Sequence, residues 1–254
     1  MATRILLLLA ALFTAHAQAA LSDKELDKIG HRVWQNECGG TRDGLTSWNA
    51  GENFASLGIG HFIWYPAGVR GPFDESFPRL ITFLAENGAA VPDWLREARA
   101  CPWSSRAEFQ ADFRSPTMNQ LRNMLAMTIR LQSQFLAMRM EAALPKMLEA
   151  APAGERGRVK ANFEKLSATG PGTFALIDYV NFKGEGTKPT ERYKGEGWGL
   201  LQVLSEMQPG GNAAESFGES AARVLERRVR NAPAERNEAR WLPGWKNRVR
   251  TYGS

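Results

Sequence analysis

Glu37 and the tetrapeptide Gly58-Ile59-Gly60-His61 hold the residue types of this chain that are best suited to catalysis. Glu37 follows a stretch of apolar residues at helical spacing, which starts at the capping-box sequence Ser22-Asp23-Lys24-Glu25. The spacing therefore predicts a helix that ends near Glu37. A carboxyl group at the negative end of a helix, and partly against an apolar core, is expected to favour its protonated form. Such an acid can protonate the leaving oxygen of an acetal, whereas the ordinary alternative is a solvated glutamate in a last helical turn.

The segments after this helix are expected to form a loop and a strand. Residues 41–53 are rich in glycine, asparagine, serine and threonine, which predicts a loop with Glu52 near its end. The alternation of residues 54–65 predicts one strand, with Gly58 and Gly60 on the same face. Glycine inside a strand marks a bend or the close approach of another group. The bare face is therefore predicted to accommodate a sugar backbone, or else to mark a bend without a ligand.

Most of the later chain is predicted to be helical. Ser115-Pro116 has the form of a helix start, and apolar residues recur at helical spacing from Leu121 to Met138. Pro145 is expected to end or kink this helix, and residues 152–158 are expected to form an exposed connection. A small β-hairpin followed by helices predicts a mainly α protein of the α+β class.

The first residues predict an exported protein. Arg4 precedes an apolar run from Ile5 to Phe13, and residues 15–19 contain the small-residue pattern that signal peptidase recognises. Residues 1–19 are therefore predicted to be a cleavable signal peptide, and the protein is expected to be periplasmic or secreted. The apolar run is too short to span a bilayer, so no stable membrane insertion is expected.

Residues 20–254 are long enough for one substantial domain with a real core. Removal of the signal peptide removes one arginine and no acid, so the formal net charge falls from +5 to +4. This mild basic charge is compatible with an anionic wall polymer. Export and the absence of a long run of lysine and arginine argue against a nucleic acid partner. A monomer is expected.

Cys38 and Cys101 are the two cysteines of the sequence. In an oxidising compartment they are expected to form a disulfide, which would constrain the unfolded chain by about 4 kcal/mol. The alternative is a catalytic Cys38 with His61 as its base. It is disfavoured because Cys38 follows a helix end, whereas a reactive thiolate is favoured at a helix N-terminus. No metal site is expected, since His31 and His61 do not belong to a cluster with ligand spacing.

A helix that ends in glutamate, a short polar loop and the sequence from Ser56 to His61 are together similar to the active-site stretch of phage-type lysozymes and endolysins. In that family the glutamate is the general acid, a second acid lies in the loop or hairpin, and a serine or threonine precedes Gly-Ile-Gly-His. The resemblance assigns the acid role to Glu37 and the hydroxyl position to Ser56. It also makes Ser56 and His61 candidate substrate contacts.

The second acid of that family has no clean counterpart. The family has an aspartate six residues before the hydroxyl residue, where this chain has Ala50. Glu52 is preferred as the second catalytic residue because it adjoins the predicted strand, and Asp43 lies farther back. Without a second carboxylate the chain would resemble lytic transglycosylases or goose-type lysozymes, which use one essential glutamate. The missing aspartate also leaves open a non-catalytic protein that binds peptidoglycan.

The resemblance covers about 30 residues, with a weaker similarity of residues 242–248 to the Arg-rich final helix of endolysins. It implies a two-lobed lysozyme-like fold with a hairpin lobe at about 38–75 and a helical lobe at about 115–254. The implied activity is that of a glycoside hydrolase, muramidase-like, which cleaves the glycan strands of peptidoglycan. No metal or organic cofactor is implied.

A second stretch, residues 178–202, combines glycine, aromatic and charged residues in the way that glycan grooves do. Tyr193 and Trp198 are predicted substrate contacts, and Glu196 a possible electrostatic helper. The alternative is a structural loop with a buried tryptophan. Gly199-Leu200-Leu201-Gln202 also resembles the Gly-Leu-Met-Gln sequence of lytic transglycosylases, which makes Glu185 a rival candidate for the acid.

Overall fold

The computed structural model of this protein describes residues 21–208 and 210–254. The predicted signal peptide lies outside the described residues. The described chain contains eleven α-helices and two small antiparallel sheets, one of three strands and one of two. The expectation of a mainly helical α+β protein is therefore confirmed. Within the described ranges, no helix combines the length and the apolar character that crossing a bilayer requires.

Helix α1 spans Asp23–Cys38 and carries Glu37 in its last turn. The Ser22 hydroxyl accepts a hydrogen bond from the Glu25 amide at 3.3 Å, and the Glu25 carboxylate accepts one from the Ser22 amide at 2.9 Å. These two bonds form the predicted capping box. Gly39 ends the helix in the left-handed conformation at φ 62°. The buried face of α1 packs on the long helix α6, Ile129–Ala150.

The three-stranded sheet has the order β1 (Thr46–Ser47), β2 (Ala55–Leu57) and β3 (Phe62–Trp64). The prediction of one strand over residues 54–65 is wrong, because the chain reverses at residues 58–61. Gly58 has a φ of 73° and His61 a φ of 48°, and the His61 amide donates to the Gly58 carbonyl at 3.2 Å. The Gly-Ile-Gly-His sequence is therefore the turn of a hairpin, and it places His61 beside the end of α1.

The remaining elements are mostly helices. They are α2 (Phe77–Glu86), α3 (Asp93–Glu97), α4 (Arg106–Ala111), α5 (Pro116–Met127), α7 (Arg156–Ser167), α8 (Gly170–Lys183), α9 (Leu200–Glu206), α10 (Ala213–Asn231) and α11 (Leu242–Arg250), with the two-stranded sheet β4 (Arg192–Tyr193) and β5 (Glu196–Gly197). Short 3-10 helices cover Asp43–Leu45, Pro189–Glu191, Ala234–Arg236, Glu238–Trp241 and Thr251–Gly253.

The long helix predicted after Ser115 is two helices, α5 and α6, separated at Thr128. The Thr128 hydroxyl donates to the Met124 carbonyl at 2.8 Å, so it satisfies a carbonyl at the end of α5. Pro145 lies inside α6 and does not end it. One buried apolar cluster extends from Ile29 in α1 to Tyr252 near the C-terminus and joins the sheet to the helices.

Candidate active site

Three segments that are distant in sequence meet at the carboxylate of Glu37. Its Oε1 accepts hydrogen bonds from Arg248 of α11 and, at 3.4 Å, from Asn181 of α8. Its Oε2 lies 3.7 Å from Nδ1 of His61 in the hairpin turn. The side chain of Glu37 is 14% exposed, so the carboxylate is largely enclosed but still reached by solvent. The hairpin and two helices thus form a polar site around the end of α1.

Asp178 of α8 is a buried carboxylate that binds Arg248 next to this site. Its side chain is fully buried and accepts hydrogen bonds from Nε and Nη2 of Arg248, both at 2.8 Å. The Tyr252 hydroxyl and the Asn36 side-chain amide also donate to it, at 2.6 and 3.1 Å. A buried carboxylate needs such partners, because an unpaired charge in the interior is strongly unfavourable. Asp178 therefore fixes the guanidinium that touches Glu37.

Arg248 is shared between two carboxylates. Burial opposes its charge, but the charges of Asp178 and Glu37 outweigh burial and hold the pKa of Arg248 above its usual value. The sequence predicts apolar surroundings and a helix end for Glu37. The structure adds a cation from a segment more than 200 residues away.

His61 presents an unsatisfied polar atom at this site. Its Nε2 is buried and has no hydrogen-bond partner among the residues that the structure describes, and the side chain as a whole is 25% exposed. Buried polar nitrogens usually have a partner. A ligand or water next to Glu37 could supply one. The structure thus brings His61, predicted only as a substrate contact, next to the predicted acid Glu37.

The predicted second acid, Glu52, makes no direct contact with Glu37 among the described residues. Its carboxylate accepts from the Asn49 side chain at 3.1 Å. Asp43 is held by Arg114 at 2.9 Å and Arg122 at 3.7 Å. In the part of the chain that the structure describes, neither acid shares a cation or a hydrogen-bond donor with Glu37.

Ser56 lies in the middle strand of the sheet, opposite Ser47 on one side and Ile63 on the other. Its side chain is 4% exposed, and its carbonyl accepts from the Ser47 hydroxyl at 3.3 Å. A residue so enclosed stabilises the sheet. The structure gives it no open surface on which a substrate would contact it.

The two glycines of the hairpin turn face helix α6. A Cβ atom at Gly58 would lie 2.5 Å from Oε1 of Gln132, and one at Gly60 would lie 3.1 Å from Cδ2 of Leu136. Gln132 Oε1 also accepts from the Ile59 amide at 2.9 Å. Of the two alternatives that the sequence left open, a face for a sugar chain and a bend without a ligand, the structure shows the bend. The glycines allow close packing of the turn on α6.

The predicted disulfide is also wrong. Cys38 and Cys101 are both free and buried in the structure. The Cys38 thiol donates to the Gly58 carbonyl at 3.5 Å, and the Cys101 amide donates to the Tyr65 carbonyl at 2.9 Å. Burial raises the pKa of both thiols to about 12, so neither has the character of a nucleophilic thiolate.

Tyr193 and Trp198 belong to a packed structural cluster. Their ring centroids are 4.4 Å apart, Trp198 is buried, and the Arg228 guanidinium lies 4.1 Å from the Trp198 ring centroid. The Tyr193 hydroxyl donates to Glu238, which also receives two hydrogen bonds of 2.8 Å from Arg228. These contacts agree with the alternative interpretation of this segment, a structural loop with a buried tryptophan. Glu196 is exposed on the same hairpin and lies 3.4 Å from Arg227.

The rival acid Glu185 has a different setting. Its carboxylate pairs with Lys146 at 2.9 Å and accepts from the Thr187 hydroxyl at 3.5 Å. Gln202 belongs to the Gly-Leu-Leu-Gln motif that suggested Glu185 as the acid. Its side chain accepts a hydrogen bond from the Gly199 amide at 2.9 Å and donates one to the Gly186 carbonyl at 3.1 Å, so it stabilises the backbone of this segment. No cluster of histidine, cysteine and acidic residues able to hold a metal occurs in residues 21–208 and 210–254.

Sequence reasoning did not assign Asp178, Asn181 or Arg248 to the site. Arg248 lies in the C-terminal stretch that resembled the endolysin final helix, and Asp178 and Asn181 lie in the charged stretch considered for substrate binding. These two stretches were the features of the sequence that pointed to the three residues. Comparison of the chain with protein-family models, with curated proteins and with solved structures gave no match.

Proposed function

We propose that this protein is an exported muramidase-like hydrolase of peptidoglycan glycan strands, with a two-lobed lysozyme-like fold and Glu37 as its general acid. The observation that supports the proposal most is the meeting of Glu37 with His61 of the Gly-Ile-Gly-His turn. The same carboxylate also contacts Asn181 and Arg248 and remains partly exposed. The sequence resemblance and the polar geometry thus point to one residue.

In the proposed reaction the protonated Glu37 gives its proton to the glycosidic oxygen, the bond from the anomeric carbon to that oxygen breaks, and positive charge develops on the sugar. In the free protein Glu37 is paired with Arg248. Arg248 keeps two hydrogen bonds to Asp178, so it has an anionic partner when substrate loosens its contact with Glu37. Under this proposal Asn181 and His61, which both lie next to Glu37, orient the acid and the sugar.

A lytic transglycosylase is the second candidate, and the residue at position 50 favours it. Where the family has its second acid this chain has Ala50, so that position supplies no carboxylate to orient water. A substrate hydroxyl would then complete the reaction and give an anhydro sugar. After bond cleavage Glu37 would be the base that accepts the proton of this hydroxyl, or of a water molecule in the hydrolytic reaction.

The test is clearing of purified peptidoglycan by the wild-type protein and by Glu37→Gln, Glu52→Gln and Glu185→Gln. Loss of a general acid is expected to lower the rate of Glu37→Gln by about 10²–10⁴-fold. Glu185→Gln is expected to retain activity, because its carboxylate pairs with Lys146. Clearing that survives in Glu37→Gln and disappears in Glu185→Gln would refute the assignment. No clearing by the wild-type protein would favour a non-catalytic wall-binding protein.

Mass spectrometry of the released fragments distinguishes the two catalytic candidates. Hydrolysis adds water and gives a reducing end, whereas transglycosylation gives an anhydro end that is lighter by one water molecule. Glu52→Gln is informative in the same assay. Unchanged rate and products would show that this residue has no part in the reaction, and a loss similar to that of Glu37→Gln would restore it as second acid.

A further inference from the structure

Lys183, the last residue of α8, holds its amine between two aromatic rings. The Nζ atom lies 3.8 Å from the ring centroid of Phe182 and 3.4 Å from that of Trp245. Among the residues that the structure describes, no carboxylate or other acceptor binds this amine. An ammonium on aromatic faces is attracted by the rings, but this does not replace a hydrogen-bonded anion. A protonated Lys183 would therefore lack an anionic partner.

The anions near Lys183 are already occupied. The groups that act on its amine are Arg228 of α10, Glu238 of the 3-10 helix before α11, Arg248 of α11 and Glu37 of α1. Glu238 is held by Arg228, and Glu37 by Arg248. Burial, reinforced by the two arginines and opposed by the two glutamates, lowers the pKa of Lys183 to about 6. The amine is therefore mainly uncharged at neutral pH.

The surroundings of this amine connect Glu37 to an exposed aromatic surface. Phe182 also contacts Arg248, whose guanidinium carbon lies 4.2 Å from the centroid of the same ring. Trp245 in turn stacks with Trp241 at 6.0 Å between centroids and 29° between planes. Trp241 is 44% exposed. Residues 241, 245 and 248 follow the i, i+4, i+7 spacing of one helix face.

We infer that Lys183 and Trp245 form a carboxylate-binding subsite beside Glu37, which recognises acidic units of the glycan strand. This inference rests on the proposed function for the identity of the polymer. A carboxylate would give the amine the anionic partner that the described residues do not supply, and the exposed Trp241 would contact the apolar side of a sugar ring. Two sources offer this chemistry in peptidoglycan, namely the lactyl group and the peptide stem.

The chemistry of binding predicts a proton change. A carboxylate favours the charged form of the amine, so binding near pH 7 takes up a proton at Lys183. The affinity for acidic sugars is therefore expected to fall as the pH rises from 6 to 9. A neutral sugar of the same size makes no such contact, and its affinity is expected to be independent of Lys183.

The test is calorimetric binding of three ligands that contain no bond for a muramidase to cleave. They are the disaccharide of N-acetylglucosamine and N-acetylmuramic acid, the same disaccharide with its peptide stem, and chitobiose, which has no carboxylate. We expect at least one acidic ligand to bind about tenfold more tightly than chitobiose, with proton uptake at pH 7. The tighter of the two acidic ligands identifies the source of the carboxylate.

The test variant is Lys183→Met, which keeps an apolar side chain against the rings, and the control is Lys165→Met at an exposed lysine of α7. Lys183→Met is expected to lose the preference for acidic ligands and keep the affinity for chitobiose, whereas the control keeps both. An unchanged preference in Lys183→Met, or equal affinity of wild type for all three ligands, would overturn the inference.

A measurement on the wild-type protein covers the case in which the variant does not fold. Acetic anhydride is expected to label Lys183 at pH 7, and the tighter acidic disaccharide is expected to protect it where chitobiose does not. Equal labelling with either ligand would contradict the subsite. Because these readouts need no turnover, a carboxylate preference without peptidoglycan clearing would support the subsite while the proposed activity fails. Clearing of peptidoglycan without a preference for acidic ligands would support the proposed activity and contradict the subsite.

Discussion

Replacement of Arg248 by methionine tests whether the Asp178–Arg248 pair holds the site together. Methionine keeps an apolar stem but removes the two hydrogen bonds of 2.8 Å to Asp178 and the contact with Glu37. Asp178 is fully buried and, among the described residues, keeps the donors Tyr252 and Asn36. It would therefore lose the one cation that contacts it in residues 21–208 and 210–254.

The expected loss follows from the burial of that charge. Removal of one member of a buried ion pair costs about 3–5 kcal/mol, because the remaining charge is uncompensated. Because Tyr252 and Asn36 still donate hydrogen bonds to Asp178, the expected loss for Arg248→Met is near the lower end of this range, at about 3 kcal/mol of unfolding free energy. With a urea m-value of about 2–3 kcal/mol/M, the unfolding midpoint is expected to fall by about 1 M.

The matched control is Arg250→Met on the same helix. Arg250 is exposed, and its side chain has a single described hydrogen bond, of 3.4 Å to Asn247, so its loss is expected to stay within about 0.5 kcal/mol. In the double variant Asp178→Asn with Arg248→Met, the buried charge is gone. The loss is therefore expected to be smaller than the sum of the two single losses by about 0.5–3 kcal/mol. A loss below about 1 kcal/mol in Arg248→Met, or strictly additive losses, would refute the reasoning.

Three further predictions concern packing, thiols and pH. Gly58→Ala is expected to cost clearly more unfolding free energy than Gly88→Ala, because the two glycines have similar φ angles of 73° and 80° but a Cβ atom at Gly58 alone of the two would lie within 3 Å of a side chain. Equal losses by urea unfolding would contradict the tight turn. Cys38 and Cys101 are expected to react slowly with Ellman's reagent when folded and to give two thiols after unfolding without reductant, where a disulfide would give none. Lys183 has a pKa of about 6 in the folded protein and about 10.4 when unfolded, so the unfolded chain binds more protons between these values and stability rises with pH. The stability that Lys183→Met gains over wild type is therefore expected to be largest at and below about pH 6, to decline as the pH rises and to vanish above about pH 10.5. A gain that does not vary with pH between 6 and 10 would contradict the unpaired amine.

The sequence by itself determined the features that depend on neighbouring residues. Ser22 and Glu25 form a capping box because their side chains reach backbone groups within one turn, and Gly39 ends α1 because it adopts a left-handed conformation readily. Ser115 and Pro116 start α5 for equally local reasons. These contacts fixed the end of α1, and therefore the place of Glu37.

Tertiary structure decided whatever depends on distant partners. Whether Gly58 lies in a strand or a turn depends on Gln132, which approaches from α6. The state of Cys38 depends on which groups surround it in the core. The cation at Glu37 comes from Arg248, and residue spacing carries no information about a contact between segments so far apart in sequence. Local hydrogen bonding can be read along the chain, whereas charge pairing and close packing exist only after the helices have come together.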